Sequence, residues 1–156
     1  MAAARTVAAY VSIGTEPGTT KLLDLLRTGD VRVLLPVLCP DLDLDWAIYE
    51  TRARLSPSSH GLWTPDGARL GVGAIAEADV VVAPALAVGA DGTRLGQGGG
   101  CYDRALSRLP AGTPVVALLY QHELLPVVPT DPHDRRVTHV ALPSGLRRVG
   151  AVVEAP

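Results

Sequence analysis

Phenylalanine is absent from the 156 residues, methionine occurs once and cysteine twice. The lack of phenylalanine reflects base composition as readily as physics, and no function is read from it. The two cysteines, Cys39 and Cys101, have neither metal-site spacing nor the pattern of a disulfide framework, so a disulfide-stapled scaffold is excluded and a reducing compartment suits them. His60, His122, His133 and His139 fall at no metal-ligand spacing, and no Ser/His/Asp constellation is present. Neither acidic nor basic residues predominate. Fourteen Lys and Arg against 16 Asp and Glu leave a net charge of −2, which argues against a general electrostatic grip on nucleic acid. Long apolar runs are missing: the most informative, 80–88, is about half of the roughly 20 residues that a membrane-spanning helix needs. Met1-Ala2-Ala3-Ala4-Arg5 lacks the features of a secretory signal. The expectation is a cytoplasmic protein, a monomer, with small-molecule partners and neither membrane nor nucleic acid among them.

With 47% apolar and 19% charged residues, the chain has the composition of one ordinary globular domain. Thr6 to Ile13 reads as a buried first strand, followed by a Gly/Thr/Pro loop in which Thr19 or Thr20 can cap a helix. Leucines at 22, 23, 25 and 26 give that helix an apolar face, and Gly29 ends it. A second strand, Val31 to Leu35, is expected to stop at Pro36. Strand, helix and strand with short links make a βαβ unit and therefore a parallel sheet. The alternating acidic and apolar residues from Asp41 to Glu50 suggest an edge strand or hairpin arm. Leu55 to Leu70 is expected to be irregular, Ile75 to Ala78 a short helical turn, and Tyr102 to Leu109 a helix. Core strands are expected at Val80–Ala83, Thr113–Leu119 and Val137–Leu142, with a last edge strand over 147–153. In such open sheets ligands sit at the carboxyl ends of the strands, where Glu16, Pro84 and Tyr120 fall.

The stretch Arg94-Leu95-Gly96-Gln97-Gly98-Gly99-Gly100-Cys101-Tyr102-Asp103-Arg104 carries the chemistry. Four glycines in five positions let backbone amides turn toward an anion. It is neither a P-loop nor a dinucleotide fingerprint, and most glycine clusters are simple turns. Its flanks point further: Arg94 and Arg104 supply positive charge, and Asp103 offers a hard oxygen to magnesium facing phosphates. Asp134, in Pro132-His133-Asp134-Arg135-Arg136, is either the cap of a polar turn or a second carboxylate of the same pocket. Glu16 either faces a ligand or caps the next helix. Trp46 and Trp63 either line a pocket for a flat heterocycle or fill the core.

Together these segments resemble the 5-formyltetrahydrofolate cyclo-ligase family, also called methenyltetrahydrofolate synthetases. The likeness runs through Tyr10-Val11-Ser12 with Glu16, Val33-Leu34-Leu35-Pro36, Val81 to Ala87, Asp91 to Arg104 and Pro132-His133-Asp134. It implies a three-layer α/β domain around a mostly parallel central sheet, of the NagB/RpiA/CoA transferase kind. It also implies a ligase of one-carbon metabolism that turns 5-formyltetrahydrofolate and ATP, with Mg2+, into 5,10-methenyltetrahydrofolate, ADP and phosphate. Under the resemblance Gly96, Gln97, Gly98, Gly99, Gly100, Cys101, Tyr102 and Arg104 would cradle ATP, while Arg94 and Tyr102 would act on the transferred phosphoryl group. Asp103 and Asp134 would hold magnesium, and Val11, Glu16 and Trp46 would meet the folate.

Three features depart from the family pattern. A preceding helical segment bearing a lysine and an arginine has no counterpart before the first strand. Gly99 stands where a lysine is frequent, and Thr64-Pro65 where Glu-Pro is frequent. The alternative expectation is a non-catalytic folate- or nucleotide-binding relic.

Overall fold

Residues 3–150 are described in the computed structural model. Its first strand, β1 (Thr6–Ala8), is shorter than the apolar run suggests, and its neighbour shows why. β2 (Arg32–Leu38) lies parallel to it with Thr6, Val7 and Ala8 opposite Arg32, Val33 and Leu34; the Ala9 amide then donates to the Leu34 carbonyl at 2.9 Å. Two residues on, along that same edge, stands Pro36, which has no N–H with which to continue the ladder. The expected end of the second strand at Pro36 is therefore corrected: only the pairing with β1 stops. β2 runs on to Leu38, because its other edge pairs antiparallel with β3 (Leu44–Ile48), where Pro36 faces Trp46.

The helix α1 (Thr20–Thr28) joins β1 to β2 and buries Leu23 while Leu25 stays exposed. Thr19 occupies the N-cap position without capping. Its Oγ1 accepts from the Ser12 amide at 2.8 Å and its amide donates to Ser12 Oγ at 3.0 Å, so the pair pins the loop after β1 instead. Gly29 ends the helix, but the left-handed residue is Asp30 at φ 60, after which the Val31 amide closes back onto the Leu26 carbonyl at 3.0 Å.

The excursion from Leu55 to Leu70 is less irregular than expected, since β4 (Leu55–Pro57) and β5 (Trp63–Pro65) pair as a small antiparallel hairpin. A 3-10 segment over Val72–Glu77 leads into β6 (Val80–Ala83). β7 (Ala87–Gly89) and β8 (Arg94–Leu95) follow as an antiparallel pair. Next comes α2 (Cys101–Leu106), which stops short of the expected end at Leu109. Beyond it the Arg108 and Leu109 amides donate to the Ala105 and Leu106 carbonyls, at 3.1 and 3.2 Å, so the chain tightens into a 3-10-like turn ahead of Pro110. β9 (Val115–Leu118) returns to the main sheet, and β10 (Leu124–Leu125) joins β7 and β8 in a second, small sheet. β11 (His139–Leu142) and β12 (Gly145–Arg148) form an antiparallel pair; positions 151–153 of the expected last strand lie outside the described residues.

Seven strands make the main sheet in the order β12-β11-β9-β6-β1-β2-β3, parallel except at the two edges. Successive residues point to opposite faces, and both faces are covered. Val7, Val33, Leu35 and Val82 pack on Leu23 of α1, while Ala8, Leu34 and Val81 pack with Trp46, Ile75 and Leu106 of α2. This is the expected three-layer α/β arrangement. From β1 the chain winds first to β2 on one side and later to β6 on the other. The carboxyl ends of β1 and β6 are thus a topological switch point, where open α/β sheets bind ligands.

Candidate active site

A cleft of about 1560 Å³ opens at that switch point. Tyr10, Val11 and Glu16 border it beyond β1, Pro84 to Leu86 beyond β6, and residues 129–135 close one flank. Arg94 and every residue from Gly96 to Arg104 also border it, as does Asp134. Two expectations are corrected. Tyr120 lies outside, stacked on His122 with ring centroids 6.1 Å apart. Trp46 is fully buried in the core: the period-2 alternation of β3 turns Leu44 and Trp46 inward, and Trp46 does not reach the cleft. The tryptophan that does border the cleft is Trp63, which β5 holds half-exposed beside His60 and Leu62.

The glycine loop begins where the chain leaves β8. Among the described residues, none accepts a hydrogen bond from the amides of Gly96 through Asp103. Consecutive free amides of this kind form an anion-binding concavity. The helix that follows has six residues, so the amides themselves, more than a helix dipole, carry the polarity. Two glycines leave room for arginine side chains. A Cβ on Gly96 would stand 2.8 Å from Arg94 Nη1, and one on Gly100 (φ 70) would stand 2.9 Å from Arg104 Nη1.

Arg94 forms the floor, with its side chain 4% exposed. Nη1 donates to the Pro84 carbonyl at 3.0 Å, Nη2 approaches Asp103 Oδ1 at 3.5 Å, and the guanidinium lies 5.6 Å from the centre of the Tyr102 ring. Its Nε and the Tyr102 hydroxyl are both buried without a partner among the described residues. Burial pushes the Tyr102 pKa far up; burial first, then the Glu16 and Glu123 carboxylates, does the same to Tyr10. Both phenols are therefore held protonated and able to donate.

Three carboxylates of the cleft each have one oxygen tied to backbone. Glu16 Oε2 accepts from the Ile13 amide at 2.8 Å, Asp134 Oδ2 from the Asp131 amide at 2.8 Å, and Asp103 Oδ1 from the Arg135 amide at 3.0 Å. Glu16 thus closes its own loop, not the helix. Asp103 ties the flank at 129–135 to α2. The second oxygens, Asp103 Oδ2 and Asp134 Oδ1, have no hydrogen-bond partner among the described residues. No group of three or more His, Cys, Asp or Glu residues among the described ones is placed to hold a metal by itself. Tyr10 and Arg135 also border the cleft, without a role expected for either from the sequence. The signal for Tyr10 lies in the resemblance, where it opens Tyr10-Val11-Ser12.

The profile of the 5-formyltetrahydrofolate cyclo-ligase family matches residues 1–143. The chain is 44% identical over 144 residues to a 5-formyltetrahydrofolate cyclo-ligase of Mycolicibacterium smegmatis, covering 89% of this chain and 74% of that one. It is 31% identical over 134 residues to the Haemophilus influenzae protein of the same name, with 84% and 72% covered. Among solved structures it resembles the 5,10-methenyltetrahydrofolate synthetase of Aquifex aeolicus with a TM-score of 0.77 at 25% identity, covering 93% of this chain and 72% of that one. No described helix is long and apolar enough to cross a membrane.

Proposed function

This chain belongs to the 5-formyltetrahydrofolate cyclo-ligase family, and we propose that its cleft converts 5-formyltetrahydrofolate and ATP to 5,10-methenyltetrahydrofolate, ADP and phosphate. The observation that carries the reading is the run of unpartnered amides from Gly96 to Asp103 above the buried Arg94. Such a run is suited to phosphate oxygens, and Arg94 supplies fixed charge beneath them. Another part of the cleft is apolar and aromatic, with Val11, Leu62 and Trp63, which suits a flat pterin and its aminobenzoyl arm.

The chemistry needs a better leaving group than an amide-like oxygen. The N5-formyl oxygen attacks the γ-phosphorus of ATP, and the bond to ADP breaks. N10 then attacks the formyl carbon, whose oxygen now carries phosphate. N10 loses its proton, the ring closes, and the carbon–oxygen bond to phosphate breaks. The protein's part is positioning and charge stabilisation. Arg94 supplies charge to the transferred group, the Tyr102 ring holds the arginine from beneath with its hydroxyl buried, and the remaining oxygen of Glu16 orients the pterin.

Magnesium fits the donor set. The residues bordering the cleft include Arg94, Arg104 and Arg135 against Glu16, Asp103, Asp131 and Asp134, so the arginines alone do not offset both the carboxylates and a polyphosphate. Magnesium takes one or two carboxylates and completes its shell with phosphate and water, and the free oxygens of Asp103 and Asp134 answer to that. When bound, it would neutralise phosphate charge.

The test is to mix the protein with 5-formyltetrahydrofolate and Mg-ATP and follow the absorbance of methenyltetrahydrofolate. Magnesium-dependent growth of the product supports the reading. Heat of folate or Mg-ATP binding without turnover would replace it with a non-catalytic relic, and neither binding nor turnover would overturn both.

A further inference from the structure

A loop of four glycines among five residues has few side chains with which to fix its peptide planes, and glycine gives each plane wide freedom. Something outside the loop must hold it. Resting on the reading of this loop as the phosphate site, we propose that Arg104 is its positioning residue, clamping the Gly99 carbonyl to the β2–β3 turn.

Arg104 Nη2 donates to two carbonyls, that of Gly99 at 3.0 Å and that of Leu42 at 2.6 Å. In a trans peptide the N–H points opposite to the C=O. Holding the Gly99 carbonyl against Arg104 therefore aims the Gly100 amide away from it. Gly100 has no Cβ to push the guanidinium off, and the Arg104 amide in turn donates to the Gly100 carbonyl at 3.1 Å. The side chain and the main chain of this arginine thus act on neighbouring peptides.

The other end of the clamp is fixed as well. Leu42 has φ 65, a conformation that a leucine adopts only under constraint, and its amide donates to the Cys39 carbonyl at 3.0 Å. Next to it, Asp43 accepts from both Nη1 and Nη2 of Arg108, at 2.7 and 2.6 Å. Arg104 and Arg108 are four residues apart on and just beyond α2, and so lie on one face of it. Arg108 anchors the turn, and Arg104 transmits that anchorage to the glycine loop. Its Nη2 is engaged with protein carbonyls, a positioning role that the sequence did not point to.

The measurements are steady-state kinetics and Mg-ATP calorimetry on Arg104→Ala, Arg104→Lys and Arg108→Ala. For Arg104→Ala, KM and Kd for Mg-ATP should rise about tenfold, the size of one lost hydrogen bond to a charged group. Arg104→Lys, whose ammonium can still reach one carbonyl, should fall between it and the wild type. A merely structural arginine would lower the melting temperature without moving KM. Arg108→Ala, which leaves the Gly99 contact in place but loosens the turn it is clamped to, should lower the melting temperature and raise the ATP KM by less than Arg104→Ala does. Wild-type ATP binding in Arg104→Ala overturns the role of Arg104, as does an equal KM rise in Arg108→Ala. If Arg104→Ala does not fold, unchanged Mg-ATP affinity in Arg104→Lys overturns it in the same way. Absence of Mg-ATP binding by the wild type overturns the phosphate reading and this inference with it.

Discussion

Replacing Asp103 with Asn separates what this carboxylate does for the fold from what it does for the reaction. Asn keeps an oxygen that can accept from the Arg135 amide, now 3.0 Å from Asp103 Oδ1, so the tie between α2 and the flank at 129–135 survives. What is lost is the negative charge beside Arg94, whose side chain is 4% exposed. A hydrogen bond to a charged group contributes about 1.5–3 kcal/mol. The contact is long at 3.5 Å and the Asp103 side chain is 20% exposed, so the low end applies. A loss of about 1–2 kcal/mol in urea denaturation is expected. Turnover should fall much further, by about 10²–10³, as when one preorganised electrostatic contact to a transition state is removed. The assay is product absorbance against magnesium concentration at saturating ATP and folate. Turnover per folded molecule equal to wild type, alongside the stability loss, would refute the metal and phosphate role and leave Asp103 as a structural tie only.

Trp46→Phe should cost about 1–3 kcal/mol of stability through the volume removed from a fully buried site, partly offset because the unpartnered indole N–H disappears, while the folate KM stays put. Trp63→Ala should do the reverse, raising the folate KM several-fold with little change in melting temperature, because the side chain is 46% exposed in the cleft. Tyr49 is buried and donates to Asp24 at 2.6 Å, and burial together with that bond pushes its pKa up to about 12. The folded state then keeps a proton that the unfolded state releases near pH 10, so stability falls as pH rises from about 10 to about 12, and Tyr49→Phe should flatten that decline in alkaline denaturation curves. At the acid end, the hydrogen bonds from Arg108 hold the Asp43 carboxyl below its ordinary value. Its contribution is present above about pH 4 and lost as pH falls through the lowered folded value, so Asp43→Asn should reduce the loss of stability on acidification.

Much of the architecture was legible because it rests on local rules. Apolar β-branched runs marked the core strands, four leucines at helical spacing marked α1, and the acidic alternation of 41–50 marked an edge strand. The glycine loop and its flanking charges pointed to the cleft before any fold was known, since peptide freedom and charge are properties of residues. Where local rules failed, a partner had intervened. Pro36 stops one ladder and leaves the other intact, which depends on which edge of β2 it faces. Thr19 has the chemistry of a cap, yet Ser12 takes its hydroxyl.

Local residue chemistry set what could happen: which segments pair or coil, and where a run of glycines between Arg94 and Arg104 leaves amides free. Which side chains share the cleft follows from long-range packing. Trp46 and Trp63 are chemically alike, and strand pleat together with hairpin placement sends one to the core and the other to the opening. Arg94 and Arg104 flank the same loop, yet one becomes its floor and the other its clamp, because their partners, Pro84 and Leu42, come from different parts of the chain. Contacts between residues far apart in sequence are set by the packing of the whole sheet, and no local pattern encodes them.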